Sequence, residues 1–381
     1  MNAEQQRSGA APLRILVVGQ TPPPFGGQAV MIEALVQGSY ERMQLFHVRL
    51  AFSEDMDSVG KFALKKVWVL FATIVRIWIA RIRYRTPVLY YPPSGPNMVP
   101  VLRDVVLLNA VRWMFRYTVF HFHAGGVSGF IQRVPWILRR PFAMAYGEPT
   151  LAIRAAEQNP DDGRFFAAKF DAIIPNGIVD VRGSVPERTA APGEPLVILF
   201  TGVLIPSKGV RILLEAFREV VERGGDVKLE LMGKWGDHSF EAECKAFLAD
   251  HGLSDRVTFL GVKRGADKFR HFAGCDIFCF PSYFEAETFG IVLVEAMMFA
   301  KPVVTTDWRG IPSVVIDGRN GYVVPPHDAP AVAEQLLRLV HDAGLRERMG
   351  GEGRRIFEQR FTLERFRREM EDAIVSITQG N

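Results

Sequence analysis

Three cysteines in 381 residues are too few for a disulfide framework, and Cys244, Cys275 and Cys279 stand in apolar surroundings as core residues do. Such scarcity suits a reducing compartment. Residues 1–12, MNAEQQRSGAAP, lack the apolar centre of a signal peptide and read as a loose tail, so nothing in them argues for secretion. No uninterrupted apolar run reaches the roughly 20 residues of a spanning helix. Zinc-finger spacing and the aromatic strand pattern of RNA binders are both missing, which sets nucleic acid aside as a partner. Missing too is the G-x-G-x-x-G fingerprint of dinucleotide-binding domains. No internal repeat or low-complexity tract is present.

What is there is globular: 48% hydrophobic and 23% charged residues, in a chain long enough for two domains. Charge is unevenly spread. Residues 1–190 hold 22 Lys and Arg against 14 Asp and Glu, a net of +8, whereas the remainder holds 24 against 28, a net of −4. A basic half without nucleic-acid motifs points to an anionic membrane or a phosphate-bearing substrate. Alternating strand and helix patterns, with Gly-rich loops after strands, predict an α/β chain of two Rossmann-like, doubly wound domains facing across a cleft. The boundary falls in the Pro- and Gly-rich stretch 182–195. The first domain then spans 13–181 and the second 196–361, with a final amphipathic helix in 362–381.

Leu13 to Gly19 reads as a parallel strand covered on both faces, and Gly26-Gly27 follow it just before a helix. Glycines there let backbone amides approach an anion. Asp55 and Asp57 have the spacing of a metal-holding pair, in surroundings that read as an exposed loop. In Lys61 to Arg85 the apolar core is broken by Arg76, and Lys61, Lys65, Arg76 and Arg83 make one basic stripe among aromatics. Such a helix lies in an anionic membrane surface, or it is a core helix with snorkelling ends. His121 and His123 share one side of a strand that opens into Ala124-Gly125-Gly126, and no third metal ligand stands within reach. In the second half, Lys208-Gly209 precede a helix and offer an ammonium and free N–H groups to phosphate.

The most informative stretch is Phe280 to Val304, FPSYFEAETFGIVLVEAMMFAKPVV. A short strand ends at Pro281-Ser282, an acidic loop carries Glu285 and Glu287, and a helix opens near Gly290. Glu295 is the one charge inside that apolar helix. A carboxylate so placed needs donors, either from polar groups of a ligand or from a salt bridge or neighbouring amide. Glu287, Thr288, Phe289 and Gly290 sit at the helix's amino end, where the dipole favours phosphate. Carboxylates for hydroxyls and amides for phosphates suit a nucleotide sugar.

With Glu287, Phe289-Gly290 and Glu295, and on through Lys301-Pro302-Val303-Val304, Asp317-Gly318 and Asn320-Gly321, this stretch resembles the signature of the retaining glycosyltransferases of family 4 (glycosyl transferases group 1), including those of bacterial surface polysaccharides. The resemblance implies the GT-B fold, with an acceptor domain first, a nucleotide-sugar donor domain second and a last helix that crosses back to the first domain. It implies hexosyl transfer from a UDP- or GDP-sugar to an acceptor hydroxyl with retention of configuration, and needs no metal or other cofactor. It gives the ribose hydroxyls to Glu295, the sugar hydroxyls to Glu287, the diphosphate to Lys208, Gly26 and Gly27, and developing positive charge at the sugar to His123. Together with the basic first half, it points to a saccharide or lipid-linked acceptor, and to a cytoplasmic protein held peripherally on the inner membrane. The chain departs from the family at Val203, where many members carry Arg; either Arg211 or a first-domain arginine substitutes, or the donor is held more weakly. The rival readings are a nucleotide-sugar oxidoreductase or epimerase, and a non-catalytic nucleotide-sugar-binding protein.

Overall fold

Among the described residues, runs of β-branched and aromatic residues form twelve short strands, and the amphipathic stretches between them form the helices. A computed structural model describes residues 11–23, 26–50, 64–186, 188 and 193–379. Lys61, the acidic pair Asp55 and Asp57, most of the expected tail and residues 187 and 189–192 of the expected linker lie outside them. The chain divides into two units. One ends at Gly177 and resumes at Leu363; the other runs from Ile178 to Thr362.

The first unit's sheet contains β1 (Leu13–Gly19), β2 (Met43–Arg49), β3 (Val88–Tyr91), β4 (Tyr117–Phe122), β5 (Leu151–Arg154) and β6 (Phe170–Ile173), all parallel, in the order β2-β1-β3-β4-β5-β6. Its helices are α1 (Gly27–Val36), α2 (Leu64–Tyr84), α3 (Met98–Val111), α4 (Val127–Gln132), α5 (Trp136–Tyr146) and α6 (Asp162–Phe165). Right-handed crossovers decide which face each helix covers. The step from β1 to β2 goes toward one edge and every later step goes the other way. Hence α1 lies on one face while α2, α3 and α5 share the opposite one. The strands agree: Leu16, Leu89, Phe120 and Ala152 point into one hydrophobic core with Ile77 of α2, Leu108 of α3 and Phe142 of α5.

Beneath that layer a buried carboxylate joins α3 to the end of β3. Asp104 of α3 accepts from the Tyr91 hydroxyl at 2.7 Å, from the Ser94 N–H and hydroxyl at 2.8 and 2.7 Å, and from the Arg103 guanidinium at 2.7 Å. Burial works against the charge on Arg103, but the Asp104 carboxylate outweighs it and holds the guanidinium's pKa above its ordinary value. Burial, then Asp104, push the Tyr91 and Tyr146 hydroxyls up, so both remain donors.

The second unit repeats the scheme with β7 (Leu196–Thr201), β8 (Val227–Met232), β9 (Val257–Gly261), β10 (Ile277–Phe280), β11 (Val303–Thr306) and β12 (Gly321–Val324), parallel in the order β12-β11-β10-β7-β8-β9. Around it lie α7 (Val210–Glu222), α8 (His238–Asp250), α9 (Gly265–Gly274), α10 (Ile291–Met298), α11 (Ala329–His341) and α12 (Ala343–Arg360). The chain then returns to the first unit as α13 (Leu363–Ser376), where Arg367 donates to the Ala34 carbonyl of α1 and Glu371 accepts the Arg42 N–H at 2.6 Å. In each sheet the strand order reverses once, between β1 and β3 and between β7 and β10. The crevice outside the carboxyl ends of such a pair is where open α/β sheets bind ligands.

Candidate functional site

In the second unit the switch point brings the loop after β7 beside the loop after β10. Tyr283 donates its N–H to the Ser207 carbonyl at 2.8 Å, which ties the two together. Gly209 is in the left-handed region at φ +78°, and a Cβ there would stand 2.0 Å from the Pro281 carbonyl oxygen, so only glycine admits this approach. From the other side β11 pins the acidic loop: Thr305 donates to the Phe280 carbonyl at 2.7 Å, Thr306 to that of Ser282 at 2.5 Å, and the Trp308 indole to that of Phe284 at 2.8 Å. Loops held this way keep their side chains in place before any ligand arrives.

Two lysine–glutamate pairs result. Lys208 Nζ lies 2.5 Å from Glu287 Oε2, with the Phe284 ring centre 4.5 Å away. Glu295, on α10, is 6% exposed and its Oε1 pairs with Lys268 of α9. Its other oxygen, Oε2, is buried and has no hydrogen-bond partner among the described residues. A salt bridge and an unsatisfied acceptor thus coexist on one carboxylate. Such an oxygen is costly unless a donor reaches it.

The neighbours of these pairs divide into packing and backbone. Phe289 is core, its ring edge-on to Phe361 at 5.6 Å, so only its main chain is available to a ligand. Thr288 is buried, and Gly290 caps α10 at φ +74°. Val203, the departure from the resembled pattern, is 40% exposed. Arg211, the expected substitute for an arginine there, is engaged elsewhere. That side chain is spent on Glu215 at 2.7 Å and Glu243 at 3.1 Å over the Phe247 ring, beside a surface groove of about 700 Å³ between α7 and α8.

In the first unit Gly26 caps α1 at φ −134°, an ordinary extended value, and a Cβ on Gly26 or Gly27 would meet nothing within 4 Å. Neither a left-handed conformation at Gly26 nor the described neighbours of either glycine require a missing side chain. The glycines after β4 differ. Asp162, itself buried, accepts the N–H of Gly126 and of Ser128 at 2.8 Å each, so a carboxylate of the chain already occupies the amino end of α4.

His121 and His123 stack with ring centres 3.9 Å apart, and the Tyr90 hydroxyl stands 2.7 Å from His121 Nδ1. Burial drives the His123 pKa down to about 3, and burial with the neighbouring His123 lowers His121 well below its usual value. Both imidazoles are neutral at pH 7. The consequence for stability follows from linkage: below the ordinary histidine pKa of about 6.5 the unfolded chain takes up protons that the folded chain refuses. Unfolding free energy should therefore be flat in this respect above pH 6.5 and fall by about 1.4 kcal/mol per pH unit per histidine below it. Urea unfolding at pH 7 and pH 5 checks this, and His123→Asn should lessen the loss; an equal loss in the variant would remove His123 as its source. Among the described residues no three His, Cys, Asp or Glu come together to hold a metal ion.

Residues 182–356 match the family described as Glycosyl transferases group 1. These 175 of 381 residues are just under half of the chain. The chain is similar to part of the phosphatidyl-myo-inositol mannosyltransferase of Mycobacterium leprae, 36% identical over 181 residues that make up 47% of this chain and 46% of that protein. It is likewise similar to the capsular polysaccharide biosynthesis glycosyltransferase CapM of Staphylococcus aureus, 31% identical over 46% of this chain and 44% of that one. The likeness spans about half the length of these curated relatives. Over the whole chain the fold matches that of Anabaena HepE solved with UDP, with a TM-score of 0.72 and 20% identity, covering 95% of this chain and all of that one. Two Rossmann-like units of the GT-B class are thus the architecture of the chain.

Sequence reasoning picked out Lys208, Glu287 and Glu295 but not that two of them pair, and it missed Lys268. The first pairing has a signal in strand order, since β7 and β10 are neighbours. Lys268 has none, lying 27 residues before Glu295 on a polar helix.

Proposed function

We propose that the chain is a retaining, metal-independent hexosyltransferase that moves a sugar from a UDP- or GDP-sugar to the hydroxyl of a saccharide or lipid-linked acceptor in polysaccharide biosynthesis. The observation that carries this reading is the buried, partnerless Oε2 of Glu295 at the switch point of a group 1 glycosyltransferase domain. A ribose hydroxyl is a donor of the right kind for it. Relatives named for mannosyl transfer to an inositol lipid and for capsule synthesis support the acceptor class, and the fold shared with a protein solved with UDP supports the donor class.

In this reading the bond from the anomeric carbon to phosphate oxygen breaks and the acceptor oxygen bonds to that carbon on the same face. The acceptor's proton leaves with the diphosphate oxygen. Lys208 and the amino end of α10 offset the charge building on that diphosphate, with the N–H groups of Thr288, Phe289 and Gly290 nearest the helix start. Glu287 accepts from sugar hydroxyls and in turn fixes the Lys208 ammonium. On the first unit, Gly26 and Gly27 are assigned to the diphosphate, and His123, neutral at pH 7, to the sugar where positive charge develops. The work is cytoplasmic, where nucleotide sugars are made.

Thermal melting with UDP, GDP and ADP tests it. One diphosphate at a hundredfold excess over its Kd should stabilise the chain by about 2.7 kcal/mol, and Glu295→Ala should abolish that shift. No shift with any of the three would overturn the donor assignment. An absorbance change on adding NAD with a nucleotide sugar would instead favour an oxidoreductase.

A further inference from the structure

The helices that cover one face of the first sheet are apolar on both sides. On α2, Ile74, Ile77 and Ala80 face the core, yet Trp68, Phe71, Trp78 and Ile82 recur at helical spacing on the outside and are exposed. α3 repeats this with Leu102 and Val106 outward, and α5 with Trp136 and Met144. Trp68, Trp113 and Trp136 are 76%, 74% and 78% exposed, which is unusual for the largest apolar side chain.

These residues form one surface. The indole N–H groups of Trp78 and Trp113 both donate to the Ala110 carbonyl at 3.0 Å, which sets the two rings side by side across α2 and the end of α3. Asn109 donates to the Val105 carbonyl of α3 and the Pro141 carbonyl of α5, at 2.8 and 3.0 Å, and so joins the third helix to the second.

Charge selects the occupant. From Leu64 to Gly147 the sequence has twelve Lys and Arg and one carboxylate, Asp104, which is wholly buried and paired with Arg103. Arg76, Arg83, Arg133, Arg139 and Arg140 are exposed. A second copy of this face would set arginine against arginine. No described helix is long and apolar enough to cross a membrane. We infer that α2, α3 and α5 together lie flat on an anionic bilayer, with Trp68, Trp113 and Trp136 seated at headgroup depth and the arginines on lipid phosphates. The basic helix read from sequence is one third of this surface. The inference extends the proposed use of a lipid-linked acceptor, but binding is measured here without donor or acceptor, so it stands or falls separately from the transferase reading.

Flotation of the full chain with phosphatidylglycerol vesicles and with phosphatidylcholine vesicles, at low and high salt, is the test. The wild type and Glu295→Ala should float equally with phosphatidylglycerol at low salt, and much less with phosphatidylcholine. Trp68→Ser, Trp113→Ser and Trp136→Ser combined should weaken binding at least about tenfold. Should that variant misfold, brominated lipid provides the second measurement: four of the six tryptophans lie in this layer, so wild-type fluorescence should be quenched by roughly half. A wild type that stays in solution with phosphatidylglycerol, or a folded triple variant that floats undiminished, would overturn the inference. So would a wild-type dimer that the triple variant dissolves while vesicle binding is absent, which would make the face a contact between copies.

Discussion

Lys208→Ala should lower kcat by about 10²–10³, the loss seen when one preorganised donor to developing negative charge is removed. Its ammonium stands at the β7–β10 switch point, 2.5 Å from Glu287 and with both groups mostly buried, so solvent cannot take its place cheaply. Part of the loss is indirect. Without the lysine, Glu287 loses its partner, and its carboxylate would turn toward other donors. Lys208→Arg should restore a fraction of kcat, because charge is retained while the point geometry of the ammonium is not. A raised KM with kcat unchanged would mean that the lysine binds donor and transition state alike and contributes nothing specific to the chemical step. Steady-state kinetics on the donor with the strongest thermal shift separates the two.

Asp104→Asn should destabilise the first unit by about 3 kcal/mol, since it leaves the Arg103 charge beneath α3 without its counter-ion. For a unit of this size that is a melting temperature lower by roughly 6–12 °C. Arg103 remains about a quarter exposed, which keeps the loss at the low end of what a fully buried pair shows. Adding Arg103→Met to Asp104→Asn should recover part of the stability, because the stranded charge is then gone. If the double variant melts lower than the single one, the hydroxyls of Tyr91, Ser94 and Tyr146, rather than the guanidinium, are what Asp104 serves.

The doubly wound architecture is legible because buried parallel strands such as Leu13–Gly19 read as unbroken apolar runs, and because Pro and Gly punctuate the chain between elements. The donor loop is legible because a single carboxylate in IVLVEAMM conflicts with everything around it. Ion pairing is harder to read. Arg211 stood free as a substitute for the missing arginine, although Glu215 four residues on already indicated where its side chain would go. Asp162 is the opposite case. Nothing in its neighbourhood announces that it will cap a helix begun 35 residues earlier, because only the pairing of β4 with β5 brings the two turns together. The outward tryptophans just after α3 and on α5 were hidden for a related reason: a sequence shows that a helix is apolar, and only packing shows which half is left uncovered.

Because the strand of chain that leaves the first unit at Gly177 returns only as α13, the first unit is interrupted by the whole of the second. Ile178 donates to the Phe361 carbonyl at 2.9 Å, so the entry and exit of the inserted unit are stitched together at its own base. During synthesis the second unit therefore has all its residues before the first does. The first waits, with the faces that later receive Phe366, Arg367 and Glu371 open, until some 185 residues have been made and folded. Order of manufacture and order of completion are reversed in this chain, and the half that is begun first is the half left longest unfinished.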